Sequence, residues 1–162
     1  MHITRLLMIA LMLYCTNATS ASPAIPIEDT VVKQRINEGI SMDEAVESMK
    51  LRANLLNMKL VTELPLSKQI EAMGKKARRM EIYQFCDPLT AQRMVEANIH
   101  FAAYLPCRIA LVEDEKGQGW LVMMNPDMML SGATLSAELK KQATQVRDSL
   151  LEIMKAGVNG EL

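Results

Sequence analysis

"IALVEDEKGQGWLVM", residues 109–123, holds two apolar runs separated by a charged segment with two glycines. Ile109 to Val112 and Trp120 to Met123 have the length of short strands, and "EDEKGQG" between them carries the turn-forming residues. The stretch therefore reads as a β-hairpin. Everything around it alternates between strand-like and helix-like patterns, so the hairpin decides the class.

On the N-terminal side, Thr30 to Ile36 reads as a first strand. "SMDE" at 41–44 is a capping box, with Ser41 accepting from the Glu44 amide and Glu44 reaching back. Met42, Ala45, Val46, Met49, Ala53 and Leu56 follow at helical spacing. Met58 to Leu64 alternates as a second strand, Pro65 to Met73 is a short helix ending at Gly74, and Met80 to Cys86 is a third strand. Asp87-Pro88 starts a helix that runs to Ala97 and Asn98: Asp caps, and Pro is preset for the first turn. Beyond the hairpin, Ser136 caps a long last helix. Its stripe is Leu139, Ala143, Val146, Leu150, Ile153 and Met154, and it is expected to end at Gly157. The order β-α-β-α-β-α-β-β-α predicts an α+β sandwich, with helices packed on a mixed sheet.

The beginning of the chain speaks to compartment. Arg5, the nine-residue apolar run "LLMIALMLY" and the small, polar "CTNATSASPA" follow the order of a secretory signal peptide. The run is about half of a bilayer-spanning helix, so stable membrane insertion is not expected. Residues 1–21 are read as the cleaved signal, 22–29 as a linker with two prolines, 30–130 as the domain, and 131–162 as a C-terminal helix packed on it. Lipidation of Cys15 is the alternative, disfavoured by the bulky Tyr14 before it. The expected location is the periplasm. With 18 basic against 19 acidic residues, nothing global attracts nucleic acid.

"FCDP" (85–88), "LPCRIALVED" (105–114) and "GWLVMMNPDMM" (119–129) together resemble motifs of bacterial domain-of-unknown-function family 302. The first stands where the family commonly has an F-G-N-P-like turn, the second resembles its L-P-x-R and apolar strand, and the third its closing strand and turn. The resemblance spans residues 30–130. It implies the fold and no activity. Arg108, Asn125 and Asp127 match positions that the family tends to fill similarly, while both cysteines and the long last helix look like features of a secreted subgroup.

Cys86 and Cys107 are the only thiols left after signal cleavage, in a compartment that oxidises thiols. Their spacing fits neither a zinc pattern nor a C-x-x-C redox motif. A structural disulfide is the first reading, worth roughly 3 kcal/mol for a loop of about twenty residues. Metal-binding thiols and a reversible redox pair remain as alternatives. Clustered methionines in "MMNPDMM" suit a soft metal such as Cu(I), with His100, Cys86, Cys107, Met124 and Met128 as candidate ligands. Core filling is the plainer role of methionine. Met123 and Met124, alternating on a strand, are expected to face opposite sides and not to share a site. Trp120 is read as a core anchor or a cleft wall, and "KKARR" (75–79) as a solvated lead-in. No G-x-S-x-G, H-E-x-x-H or phosphate loop supports a hydrolase or nucleotide reading.

These readings converge on a secreted, non-enzymatic binding or accessory protein. Its expected surface is formed by Cys86, Asp87, Tyr104, Cys107 and Arg108 with Asn125. A copper or haem carrier, and a thiol-based redox or sulfur-transfer protein, are the alternatives. The sequence names no cofactor, ligand or partner, and self-association into a homodimer stays open.

Overall fold

Ser41 and Glu44 close the capping box as expected: the Glu44 amide donates to Ser41 Oγ at 3.1 Å and the Ser41 amide to Glu44 Oε2 at 2.7 Å. The helix they start, α1 (Met42–Leu55), follows strand β1 (Val31–Arg35). In a computed structural model, which describes residues 24–161, the chain continues through β2 (Lys59–Leu64), α2 (Leu66–Ala72) and β3 (Met80–Cys86). Then come α3 (Pro88–Ala97), a 3₁₀ segment (Ile99–Tyr104), β4 (Cys107–Glu113) and β5 (Gly119–Met124). Two helices, α4 (Pro126–Gly132) and α5 (Ala137–Asn159), complete it. The expected signal peptide lies outside the described residues. No described helix is long and apolar enough to cross a membrane.

The α+β class holds, and the hairpin that decided it is β4–β5, paired from Ala110↔Val122 to Glu113↔Gly119. The sheet is not mixed, however. Its order is β1-β5-β4-β3-β2 and every pairing is antiparallel. The chain crosses from one edge to the other through α1, so β1 and β2, which run the same way, never become neighbours.

Strand alternation divides the sheet into two faces. Tyr83, Phe85, Ile109, Leu111, Leu121 and Met123 point inward and are buried against α1 and α5. Met49 and Ala53 of α1 and Leu150, Ile153 and Met154 of α5 complete this core. Each of the large side chains contributes roughly 1.5–3 kcal/mol by leaving water. A second, smaller cluster (Met94, Phe101 and Ala143) lies between α3, the 3₁₀ segment and α5, with Met129 and Leu139 against it.

Three expectations at element ends change. The segment 22–29 is not all linker, because Ile27–Thr30 forms a 3₁₀ turn. "NPDMM" is not a simple turn: Asn125 caps α4, accepting from the Asp127 amide at 3.0 Å. Gly157 does not end the last helix. It lies buried inside α5, which stops at Asn159, where Gly160 takes the left-handed conformation (φ 65°) that favours glycine.

Gly157 is in the helix because α5 crosses α1 and β5 there without room for a side chain. A Cβ at this position would stand 2.6 Å from Met49 Cγ, 2.8 Å from Leu121 Cδ1 and 3.0 Å from the Ala45 carbonyl oxygen. The backbone contact cannot yield, so Gly157→Val should force the helices apart and cost about 1–3 kcal/mol. An unchanged urea midpoint would show that α5 does not sit this close.

At the Met80 end of the sheet, "KKARR" is only partly a solvated lead-in. Arg79 reaches Asp43 on α1 (2.6 Å) and Glu81 (3.0 Å), and its amide donates to Glu113 (3.0 Å). Tyr83 Oη also donates to the buried Glu81 carboxylate. Burial works against the Glu81 charge, yet the hydrogen bonds from Arg79 and Tyr83 hold its carboxyl below the usual glutamate range. Its stabilisation is therefore complete above the ordinary glutamate value and is lost as pH falls through the lowered folded-state value. Glu81→Gln should lower stability near neutrality by about 1–3 kcal/mol and flatten the acid limb of a Tm-versus-pH curve. Parallel curves for the two proteins would contradict this.

Candidate functional site

The opposite end of the sheet is built differently. Cys86 ends β3, Met124 ends β5, and Cys107 opens β4 between them. Both outgoing strands turn into helices through a capping residue followed by proline. Asp87 accepts from the Leu89 and Thr90 amides (3.1 and 3.3 Å) and from Thr90 Oγ1 (2.5 Å), which starts α3. Asn125-Pro126 starts α4 in the same way. These helices leave the sheet and cover the N-terminal part of α5, which carries Ala143 of the second cluster.

Between the two clusters the chain leaves a cavity of about 500 Å³. Met58, Met123 and Leu150 border it from the main core, and Met94, Phe101 and Ala143 from the smaller one. That size falls within the range of small-molecule sites. Apolar side chains form most of the wall, and polar groups are confined to a few positions.

Every residue expected at the binding surface borders this cavity: Cys86, Asp87, Tyr104, Cys107, Arg108 and Asn125. Of the candidate metal ligands, Met124 and Met128 also border it and His100 does not. His100 is exposed on the 3₁₀ segment, its Nδ1 2.8 Å from Asn98 Oδ1. Met123 is buried and Met124 exposed, as alternation requires. They nonetheless share one cavity, because it opens around the end of the sheet instead of lying on one face. Trp120 is neither core anchor nor cleft wall. It stands half-buried on the outward face, donating Nε1–H to Asp114 Oδ2 (2.9 Å), with Lys33 Nζ 4.1 Å from its ring centroid.

The expected disulfide is not formed, and both thiols are free. The helix and loop from 88 to 106 do bring the chain back beside β3. Register supplies the reason: Phe85, not Cys86, stands opposite Cys107. Cys107 accordingly turns inward with Phe85, and Cys86 turns to the other face. Burial pushes the Cys107 thiol up to about 11, with nearby Cys86 adding to the shift. Burial and Asp87 raise Cys86 as well. Both thiols stay protonated at neutral pH, a poor starting point for thiolate exchange.

The charged groups at the cavity differ in commitment. Burial opposes the Asp87 charge, but its hydrogen bonds to Thr90 and Leu89, with Arg93 nearby, hold it below the usual aspartate range. Arg147, from α5, pairs with Asp127 at 2.7 Å and Asp148 at 2.6 Å. Arg108 is exposed, on the outward face of β4, with no carboxylate at salt-bridge distance among the described residues. Sequence reasoning missed Met58, Met94 and Ala143 as wall residues. Helical periodicity did place Ala143 on an apolar stripe and could have flagged Met94 as buried, but not that two separate clusters would leave a gap.

The comparisons agree with this architecture. A crystal structure of an uncharacterised conserved DUF302 protein from Bacillus stearothermophilus superposes with a TM-score of 0.67 at 17% identity. The match covers 78% of this chain and 97% of that one, and at such identity it shows the fold alone. No protein of curated function is significantly similar in sequence. The family model described as "Domain of unknown function DUF302" matches residues 32–157, which takes in most of α5 rather than stopping at 130. The chain belongs to the DUF302 family.

Proposed function

We propose that this protein is a secreted, periplasmic binding or accessory protein, non-enzymatic, that holds a small apolar ligand between its two hydrophobic clusters. The observation that carries the reading is the cavity: about 500 Å³, walled by Met94, Phe101, Met123 and Leu150, with Asp87, Arg108, Asn125 and Arg147 among its polar lining residues. An apolar space with a few convergent polar groups is what small-molecule recognition uses. The committed state of Asp87 argues against a general base there, since its carboxylate already caps α3. The secreted location is supported by the order of Arg5, the apolar run and the small residues before Pro23.

Protein recovered from the periplasm, starting at Ala21 or Ser22, should bind the neutral fluorophore N-phenyl-1-naphthylamine with one-to-one stoichiometry. Ala91→Trp, which places an indole in the space from α3, should weaken that binding by about tenfold or more while the protein stays folded. Binding unaffected by Ala91→Trp, or no binding at all, would rule the cavity out as the site.

A second reading is carried by sulfur. Both described cysteines and the methionines Met58, Met94, Met123 and Met124 border the same space. Thiolate and thioether ligands together favour a soft cation such as Cu(I). Because the thiols begin protonated, binding would release protons and weaken as pH falls. In competition against bicinchoninate, the protein should withdraw one Cu(I) and Cys107→Ala should lose it. Complete retention of copper by the chelator would dismiss this reading.

A further inference from the structure

Resting on the reading of the cavity as an apolar binding site, we infer that its ligand is an apolar monoanion, such as a medium-chain carboxylate, held tail-inward with its charge on Arg108. The first observation is commitment. Among the cavity's charged side chains, Asp87 caps α3 and Arg147 is paired with Asp127 and Asp148. Arg108 has neither a carboxylate at salt-bridge distance nor a side-chain hydrogen bond among the described residues. A guanidinium left unpaired at the rim of an apolar space offers an oriented fork of donors that a carboxylate fills with two parallel hydrogen bonds.

The second observation is independent of the cavity. Register places Lys33, Arg35, Lys59 and Arg108 on the outward face of the sheet. The acidic residues of the strands, Glu63, Glu81 and Glu113, all sit at inward register positions opposite Tyr83, Leu111 and Gly119. No strand puts a carboxylate on the outward face, so apart from Asp87, whose charge is engaged in capping α3, the strands around Arg108 favour an approaching anion. Depth supplies the third element. Across the end of the sheet from Arg108 the same cavity is lined by Met123, Leu150 and Phe101, which have nothing to offer a second charge and much to offer a hydrocarbon tail.

Decanoate and decan-1-ol share a tail and differ in the head group, which separates the charge from the apolar contacts. Each is titrated, below self-association and at neutral pH, against protein carrying N-phenyl-1-naphthylamine. For the wild type, decanoate should displace the probe at a concentration about tenfold or more below that needed for decan-1-ol. In Arg108→Gln this advantage should fall to about twofold or less, with displacement by decan-1-ol unchanged. Raising the salt concentration should erode the wild-type advantage. Lys33→Gln, remote from the cavity on the same face, should keep most of it. Equal displacement by the two compounds would overturn the assignment of an anion while leaving the apolar site standing, since the probe is still seated and still displaced. An advantage that survives Arg108→Gln would overturn the role of Arg108. Failure of the probe to bind at all would remove the apolar site and this inference together. Arg108 is exposed, so the variant's unchanged melting curve serves as the control for folding.

Discussion

The close crossing at Gly157 sets the position of everything else. It lets α5 lie against both α1 and β5, because a hydrogen in place of a side chain brings the helix backbone to the Ala45 carbonyl and the tip of Leu121. A helix fixed there has to overhang. Its 23 residues extend for about 34 Å, whereas a seven-residue strand such as β3 covers about 23 Å. The C-terminal part of α5 finds the sheet beneath it. The N-terminal part finds none, and its apolar stripe has to be covered by something other than strands.

What covers it are the two helices that leave the sheet at that end. Asp87-Pro88 and Asn125-Pro126 are the same device used twice: a side chain that caps the first turn, followed by the residue whose ring presets it. Each turns an outgoing strand aside, β3 into α3 and β5 into α4, on either side of β4. The covering is real but incomplete. Met94, Phe101 and Ala143 close a cluster of their own instead of merging with the main core, and the gap between the clusters is the cavity. Native interiors rarely leave such space unfilled, which is why a gap bordered by both clusters reads as a site and not as a packing fault.

The elements with strong local signals were legible in the sequence. Ser41 with Glu44, Asp87 with Pro88, and the two runs of the hairpin each carry their own chemistry, and each formed where it was read. Errors came where the deciding contact is distant in sequence. Gly157 looks like a helix end because glycine usually is one, and only the approach of Met49 and Ala45 explains it inside a helix. The antiparallel order depends on α1 carrying the chain across the whole sheet, which no local pattern encodes. Several residues that border the cavity were singled out in the sequence, but their mutual orientation was not legible there. Cys86 and Cys107 do come together at one end of the sheet, but a one-residue offset in register turns them to different faces. The same offset logic, applied to Met123 and Met124, predicted their faces correctly and still misjudged the site, since a cavity at the end of a sheet can be reached from both.

Strand β3 joins two ends that are built differently. Near Met80, Arg79 binds Asp43, Glu81 and the Glu113 region in one network, tying α1, β3 and β4 together beside a second, charge-lined hollow bordered by Lys50, Glu63 and Lys68. Near Cys86, the strands stop, the helices splay, and the charged groups are used in a cap (Asp87), paired (Arg147) or, in Arg108, without a carboxylate at salt-bridge distance among the described residues. Rigid anchoring at one end is what allows incomplete packing at the other, because the helices that border the cavity are held by a core that does not depend on filling it. It follows that substitutions around Glu81 should act mainly on stability and those around Arg108 mainly on binding.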